Sequence, residues 1–316
     1  MTVVTRFAPS PTGDLHLGHA YSAMFARERA QSRGGRFLVR IEDIDGERCR
    51  AGFESRNLAD LEWLGLTSDE PPIRQSARTE VYRGALNRLE RLGIVYPCLC
   101  TRKQIREEIA RAGGAPQGAI GDGTGRYPGT CGRLDRTTGN ARRAAGEPHA
   151  LRLDGEAALA LTGPLRWVDL RHGERAVDLC RLGDVVIARK EMPTSYHLAV
   201  VIDDAAQAVS EVTRGDDLLE VTHLHRLLQA LLDLPVPVWH HHRLCRDRSG
   251  RRLAKRDGDT SIRALRQQGL TPAEVLERAA AAAETGSDRP GQCAVTMAAW
   301  APVSAPPPDA PSRPAG

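Results

Sequence analysis

Apolar and polar positions repeat with two different periods along the first hundred residues. Short apolar runs at residues 2–5 and 36–41 have the length and β-branched content of buried strands. Apolar residues also recur every three or four positions, which predicts helices around residues 20–29, 58–64 and 81–92. Strands that alternate with helices in this way are typical of an α/β fold with a parallel sheet.

The second half of the chain continues this alternation. Strands are predicted at residues 149–154, 167–170, 178–190 and 209–214. Helices are predicted from the apolar positions at residues 198–202, 222–232, 261–266 and 271–282. From about residue 285 the composition turns to Gly, Pro, Ala and Ser, and this change predicts a disordered tail.

Composition narrows the class of protein. The chain has 316 residues, a formal charge of +4 and seven cysteines. The nearly balanced charge argues against a strongly basic tail for nucleic acid and leaves room for a local basic patch. No apolar run reaches the roughly 20 residues of a membrane span, and the N-terminus lacks the apolar core of a signal peptide. Because the cysteines are odd in number and unevenly spaced, we expect a reducing cytoplasm in place of a disulfide framework.

A loop rich in proline and glycine joins the first predicted strand to the first helix. It reads Arg6-Phe-Ala-Pro-Ser-Pro-Thr-Gly-Asp-Leu-His-Leu-Gly-His19, and it lies where open α/β sheets bind their ligands. His16 and His19 come at the start of the helix, beside backbone N–H groups that attract anions. Two imidazoles at this position could stabilise negative charge on a triphosphate. The alternative is a turn with two surface histidines.

Two groups of residues carry side chains that bind metals or cations. The first, Glu42-Asp43-Ile44-Asp45, follows the second strand and could bind a metal, receive an ammonium group or cap the next helix. The second comprises Cys98, Cys100 and Cys131, on either side of a glycine-rich stretch. Three thiols with one further donor suit tetrahedral zinc, and three reduced, buried cysteines are the alternative.

The second half of the chain adds side chains that suit a dicarboxylate ligand. Arg6 and Arg214 offer two guanidinium forks, with the phenol of Tyr196 between them. We expect Arg6 to bind the side-chain carboxylate of such a ligand. Asp203 and Asp204, at the end of an apolar helix, either face the ribose of a nucleotide or cap the helix.

Histidines are concentrated in the same half. His223 and His225 are predicted to be packing or surface residues of a helix. His240, His241 and His242 alternate faces if they lie on a strand, so all three cannot bind one metal ion. A surface strand is the prediction for this run.

These motifs resemble those of class I aminoacyl-tRNA synthetases. His-Leu-Gly-His at residues 16–19 is similar to the HIGH signature, and the string at residues 6–13 resembles the glutamyl branch, as does IEDID at 41–45. Arg252-Leu-Ala-Lys255-Arg256 stands where the family has its KMSKS-like loop, although Ala254 replaces the serine. The resemblance implies the fold class: an α/β, Rossmann-like parallel-sheet catalytic domain with an inserted zinc-containing subdomain and a short C-terminal helical part.

The resemblance also assigns roles to residues. Catalysis is expected of His16, His19 and Lys255, and ATP binding of the same three together with Gly18. Glutamate is expected to contact Arg6, Phe7, Ala8, Pro9, Ser10, Glu42, Tyr196 and Arg214, with its α-amino group on Glu42. Short paralogues of glutamyl-tRNA synthetase carry a C-x-C…Y-x3-C zinc site, which corresponds here to Cys98, Cys100, Tyr127 and Cys131. The implied domain order is a catalytic half at 1–95, an insertion at 96–190, a second catalytic half at 191–284 and a tail at 285–316.

The length of the chain bears on the substrate. About sixty residues follow Lys255, whereas a full glutamyl-tRNA synthetase continues into large anticodon-reading domains. The chain therefore resembles the short paralogues, which use ATP with Mg²⁺ to activate L-glutamate and transfer it to the queuosine base in the anticodon loop of tRNA(Asp). The alternatives are a domain that charges the 3′ end of tRNA(Glu) and a non-catalytic binding module, and no obligate protein partner is implied. The basic residues expected to contact the loop phosphates are Arg189, Lys190, Arg251 and Arg256.

Overall fold

The computed structural model describes residues 2–111, 127–179, 183–189, 194–245 and 261–284. The strands in these ranges are β1 (Val4–Phe7), β2 (Arg36–Ile41), β3 (Ile73–Arg74), β4 (Val95–Cys98), β5 (Ala150–Leu153), β6 (Arg166–Asp169), β7 (Gly173–Ala176), β8 (Val186–Arg189), β9 (Glu211–Gly215) and β10 (Val238–His242). The helices are α1 (Leu17–Gln31), α2 (Ala51–Trp63), α3 (Thr79–Arg91), α4 (Arg102–Arg111), α5 (Arg136–Ala144), α6 (Gly155–Thr162), α7 (Tyr196–Ala206), α8 (Thr222–Leu231), α9 (Ile262–Gln267) and α10 (Pro272–Glu284). The elements predicted in the first hundred residues are confirmed.

Parallel strands form the central layer of the fold. β1, β2 and β3 form one parallel sheet, and β9 pairs in parallel with β10. β9 lies beside the free edge of β1, where Ser210 N donates to Val4 O at 3.0 Å. Connections between parallel strands pass through helices, as α/β folds require. The predicted parallel α/β architecture is therefore confirmed.

The strands between β3 and β9 in the chain belong to two sheets. β4, β5 and β8 form an antiparallel sheet, and β6 and β7 form a hairpin that extends the β9–β10 sheet. The insertion at residues 96–190 and the boundaries at residues 95, 190 and 284 stay predictions.

The first helix is covered by the last one. α1 packs against α10, and both contribute to one apolar cluster through residues such as Ala20, Ala23, Met24, Leu276 and Ala279. α10 begins where the sequence predicted, because Thr271 and Glu274 cap its start reciprocally. Small alanines let the two helix backbones come close, which fixes α1 over β1 and β2.

The predicted surface strand of histidines is wrong. His240, His241 and His242 are only 8%, 0% and 6% exposed, because β10 lies between β9 and β6 in the sheet. The predicted alternation of faces is confirmed. His240 and His242 pack against the Phe25 ring, while His241 points toward the opposite side and lies near Trp167. Aromatic partners on both sides keep these polar rings inside the fold.

Several predictions fall outside the described residues. They are Lys255 and its loop, Lys190, Arg251, Arg256, the glycine-rich run at 113–125 and the tail at 285–316. Among the helices that the structure does describe, none is long and apolar enough to cross a membrane.

Candidate active site

A cavity of about 240 Å³ opens at the carboxyl ends of β1, β2 and β9. This is the edge at which open α/β sheets bind ligands. The predicted site residues that line it are Arg6, Phe7, Ala8, His16, Gly18, His19, Glu42, Tyr196 and Arg214. Two predicted glutamate contacts do not line it: Pro9 is buried in the loop, where its carbonyl accepts from Glu42 N at 3.1 Å, and Ser10 is exposed. Sequence reasoning did not select Ser22, Asp217, His242 or Cys245, which also line the cavity.

The two histidines of the HIGH-like motif cap α1 reciprocally. His16 Nδ1 accepts from Gly18 N at 3.1 Å, and His19 Nδ1 accepts from His16 N at 3.2 Å. Because Nδ1 is the acceptor on both rings, the neutral rings carry their proton on Nε2. The ring centroids lie 3.9 Å apart. A Cβ on Gly18 would lie 3.0 Å from Cε1 of His16, so a side chain at this position would press on that ring.

The described residues on either side of the segment that contains Lys255 lie at this motif. Cys245, the last described residue before the segment, lines the cavity. Ser261, the first described residue after it, forms a backbone bridge with His16, and Ile262 N donates to Leu15 O at 2.9 Å. Cys245 and Ser261, the described residues that flank positions 246–260, therefore both lie beside the HIGH-like loop.

Glu42 is the one carboxylate of the IEDID cluster that lines the cavity. Its side chain is 7% exposed, and its Oε1 has no hydrogen-bond partner among the described residues. Burial raises the pKa of Glu42 to about 7, although Arg40 and Arg6 act to lower it. The neighbouring Asp43 instead accepts from Ser76, through both N and Oγ. Glu42 Oε1 lies 3.6 Å from Arg40 Nη2 but accepts no hydrogen bond from the described residues, so it is a suitable acceptor for an ammonium group.

The first arginine of the site is held by a buried carboxylate. Arg6 Nε donates to Asp204 Oδ1 at 2.9 Å, and Arg6 Nη1 donates to Thr213 O at 2.9 Å. Arg40, which is fully buried, lies 2.8 Å from the same Asp204 oxygen. Despite burial, these two guanidinium groups hold the pKa of Asp204 below its usual range. The positive charge of Arg6 is therefore already balanced inside the protein.

The second arginine is held by neutral groups. Arg214 Nε donates to His241 Nε2 at 3.0 Å, Nη1 to His225 Nδ1 at 2.9 Å and Nη2 to Thr222 Oγ1 at 2.6 Å. No hydrogen-bond partner of Arg214 in the described part of the chain is a carboxylate. Burial lowers the pKa of Arg214, while the phenol of Tyr196 acts to raise it.

Asp203 and Asp204 take neither of the roles weighed from the sequence. Asp203 is fully buried and accepts from Gln75 Nε2, Arg78 Nε and Tyr82 Oη at 2.7–2.9 Å. The carboxylates of both residues therefore bind partners inside the fold. Their position after the apolar helix gave no sign of these partners, which lie more than a hundred residues away in sequence for Asp203.

A second group of side chains converges away from the cavity. The thiols of Cys98, Cys100 and Cys131 lie within 4.8 Å of one another. Tyr127 Oη is 3.4 Å from Cys98 Sγ and 3.5 Å from Cys100 Sγ, and Cys100 Sγ is 3.4 Å from Cys131 Sγ. Metal–ligand bonds of about 2.0–2.3 Å give ligand separations of this size around one ion. The three thiols could therefore hold a metal ion, with the Tyr127 hydroxyl beside them.

Fold and site together define the catalytic domain of a class I aminoacyl-tRNA synthetase. The family model for class I tRNA synthetases (E and Q), catalytic domain, matches residues 2–282. The glutamyl-Q tRNA(Asp) synthetase of Rhodobacter capsulatus is 49% identical, over 86% of this chain and 98% of that protein. The enzyme of the same name from Nocardia farcinica is 44% identical, over 86% of this chain and 81% of that protein. The chain belongs to the glutamyl-Q tRNA(Asp) synthetase family.

Longer relatives share the same domain. A glutamate–tRNA ligase of Synechococcus is 40% identical, over 87% of this chain and 57% of that protein. The crystal structure of a glutamate tRNA ligase from Elizabethkingia meningosepticum, in complex with its amino acid, superposes with a TM-score of 0.69 and 29% identity. That match covers 82% of this chain and 53% of the ligase. The chain thus spans about half the length of these ligases.

Proposed function

We propose that this protein activates L-glutamate with ATP and transfers it to the queuosine base at the wobble position of tRNA(Asp). The central observation is that one cavity contains a Glu42 carboxylate oxygen that accepts no hydrogen bond from the described residues and, on Arg214, a cation whose hydrogen-bond partners among those residues include no carboxylate. These two groups complement the ammonium and carboxylate groups of an amino acid. The names of the Rhodobacter capsulatus and Nocardia farcinica relatives support the acceptor.

In this proposal, glutamate binds by charge pairing. Its α-amino group donates to Glu42, and its side-chain carboxylate lies on Arg214, with Tyr196 beside it. The expectation that Arg6 binds that carboxylate is replaced here, because Asp204 already balances the charge of Arg6. Glutamine would leave the Arg214 cation unpaired in a buried site, so the site favours glutamate over its neutral isostere.

ATP binds at the start of α1. The Nε2–H groups of His16 and His19, with the N-terminus of the helix, provide donors for its phosphates. Charge develops on the α-phosphate when the glutamate α-carboxylate attacks and pyrophosphate leaves, and preorganised donors stabilise it. Lys255 supplies a further cation in this proposal, since the described residues that flank its segment, Cys245 and Ser261, lie at the same loop. Mg²⁺ bound to the triphosphate would balance part of its charge.

The four clustered side chains would hold structural zinc. Cys98, Cys100, Tyr127 and Cys131 supply three sulfur atoms and one oxygen at separations that suit tetrahedral coordination. A closed set of four ligands leaves no open position for a substrate, so the ion would stabilise the insertion and take no part in catalysis. The ligands connect β4 to residues beyond α4, a function that a small subdomain with little core needs.

An acceptor assay tests the proposed function. The protein is incubated with ATP, radiolabelled glutamate and tRNA from two bacterial strains, of which only one makes queuosine. We expect label only on the queuosine-containing tRNA, and nuclease digestion should release it with the modified wobble nucleotide. Label released with the 3′-terminal adenosine would instead identify a glutamate–tRNA ligase. A lack of glutamate-dependent ATP–pyrophosphate exchange would indicate the non-catalytic module.

A further inference from the structure

Buried side chains form a continuous hydrogen-bonded chain behind the cavity. It runs from Asp169 on β6 through His241, Arg214 and His225 to His197 on α7. Every member is at most 8% exposed. None of the histidines was selected from the sequence as a functional residue, and only Arg214 lines the cavity.

The donors in this chain fix the protonation of each ring. A guanidinium has no acceptor atoms, so His241 Nε2 and His225 Nδ1 must both accept from Arg214. His241 therefore carries its proton on Nδ1 and donates it to Asp169 Oδ2 at 2.6 Å. His225 carries its proton on Nε2 and donates it to His197 Nδ1 at 3.1 Å. All three rings are neutral, and burial accordingly lowers the pKa of His241, His225 and His197.

Neutral partners leave Arg214 without a carboxylate among its hydrogen-bond partners in the described part of the chain. The other arginine that lines the cavity, Arg6, already pairs with Asp204. Glutamate carries one ammonium and two carboxylates, a net charge of −1. A carboxylate at the position of either imidazole would pair with Arg214 before the substrate arrives.

We propose that His225 and His241 are positioning residues for substrate specificity. They orient the Arg214 guanidinium as well as a carboxylate would, because both of its sides meet a fixed acceptor. Unlike a carboxylate, they leave its charge to be paired by the side chain of glutamate. Asp169 and His197 fix the tautomers and so keep both acceptors aimed at the arginine. This inference rests on the proposed binding of glutamate at Arg214.

Two substitutions of His225 distinguish its role in orienting Arg214 from the effect of a negative charge at the same position. Asparagine and aspartate at position 225 have the same shape, and each places an oxygen near the site of Nδ1. We expect His225→Asn to keep the KM for glutamate within about threefold of wild type, since a neutral acceptor remains. We expect His225→Asp to raise that KM by about 30-fold or more, the scale of losing one charge-assisted hydrogen bond. The kcat of either variant should change less than its KM.

Glutamine provides the second measurement. Because His225→Asp neutralises Arg214, its preference for glutamate over glutamine in pyrophosphate exchange should fall at least about tenfold, while His225→Asn keeps the preference. Equal KM values and equal preferences in the two variants would overturn the inference. If the two variants do not differ but the wild-type protein is active, only the role of His225 is rejected and the glutamate site is unaffected. If the wild-type protein is itself inactive, the proposed function is rejected.

A second pair covers the case in which His225→Asp does not fold. Arg214 reaches His241 through Nε2, which the amide oxygen of glutamine mimics, so His241→Gln and His241→Glu form the corresponding pair. Thermal melting and ATP binding identify the folded variants. We expect His241→Glu, but not His241→Gln, to raise the KM for glutamate and to lower the preference for glutamate over glutamine. If both variants fold and do not differ in this way, the proposal is contradicted.

Discussion

Replacement of Asp204 with asparagine should destabilise the protein more than any single change at its surface. The Oδ1 atom of Asp204 lies 2.9 Å from Arg6 Nε and 2.8 Å from Arg40 Nη1. The three side chains are only 7%, 4% and 0% exposed. Asparagine keeps the shape and the oxygen but removes the charge, so two buried guanidinium groups lose their shared counter-charge.

The expected loss in the free energy of unfolding is about 4 kcal/mol. Removal of one partner from a buried ion pair costs about 3–5 kcal/mol, because the remaining charge stays desolvated. Two arginines share one anion here, so the costs do not simply add. Glu42 stays 3.6 Å from Arg40 and compensates part of the second loss. These opposing effects place the expected value in the middle of the range.

Urea unfolding followed by tryptophan fluorescence provides the measurement, since Trp167 and Trp239 are both buried. The control is Glu90→Gln, which removes the charge from a pair with Arg143 whose side chains are 26% and 38% exposed. Solvent screens that pair, so its loss should cost about 1 kcal/mol or less. If Asp204→Asn unfolds within about 1 kcal/mol of wild type at an unchanged m-value, the buried pairs do not carry the stability assigned to them.

Three further predictions concern the two sites. Because Glu42 must be ionised to receive an ammonium group and its pKa is about 7, kcat/KM for glutamate should fall about tenfold from pH 8 to pH 6; a flat profile would contradict this. His19→Ala should slow pyrophosphate exchange about 100-fold, and a loss below about threefold would remove His19 from the ATP site. Elemental analysis of the wild-type protein should find about one zinc ion per chain. The Cys100→Ser variant should lack this zinc and melt at a lower temperature, yet still activate glutamate. A wild-type protein without metal would exclude zinc.

Local sequence patterns and motifs were sufficient to predict most of the site residues that line the cavity. Arg6 lies near the end of β1, the loop that leads to His16 and His19 follows that strand, and Glu42 follows β2 directly. Parallel strands bring such ends together. Cys98 likewise ends β4, with Cys100 two residues further on, and their spacing indicated a cluster with Cys131 that the structure shows. In these cases the short-range sequence already determines which side chains meet.

The hydrogen-bonded residues around Arg214 could not be predicted from local sequence in the same way. Asp169, His197, His225 and His241 come from four different elements, and only the tertiary fold brings them around Arg214. Histidine is a poor marker of burial, since it is common both inside proteins and on their surfaces. One signal was available: the arginine on a predicted buried strand, Arg214, needs hydrogen-bond acceptors, and the helix and strand that follow it contain several histidines.

The position of β1 between β2 and β9 has a consequence for biosynthesis. β1 meets β2 early in the chain, but its other neighbour is β9, and Ser210 donates to Val4 across 206 residues. At a translation rate of about 5–20 residues per second, that neighbour emerges roughly 10–40 s after β1. α10, which covers the alanine face of α1, is synthesised later than β9. The nascent chain therefore carries an unpaired strand edge and an uncovered apolar helix through most of its synthesis, a state that chaperones recognise.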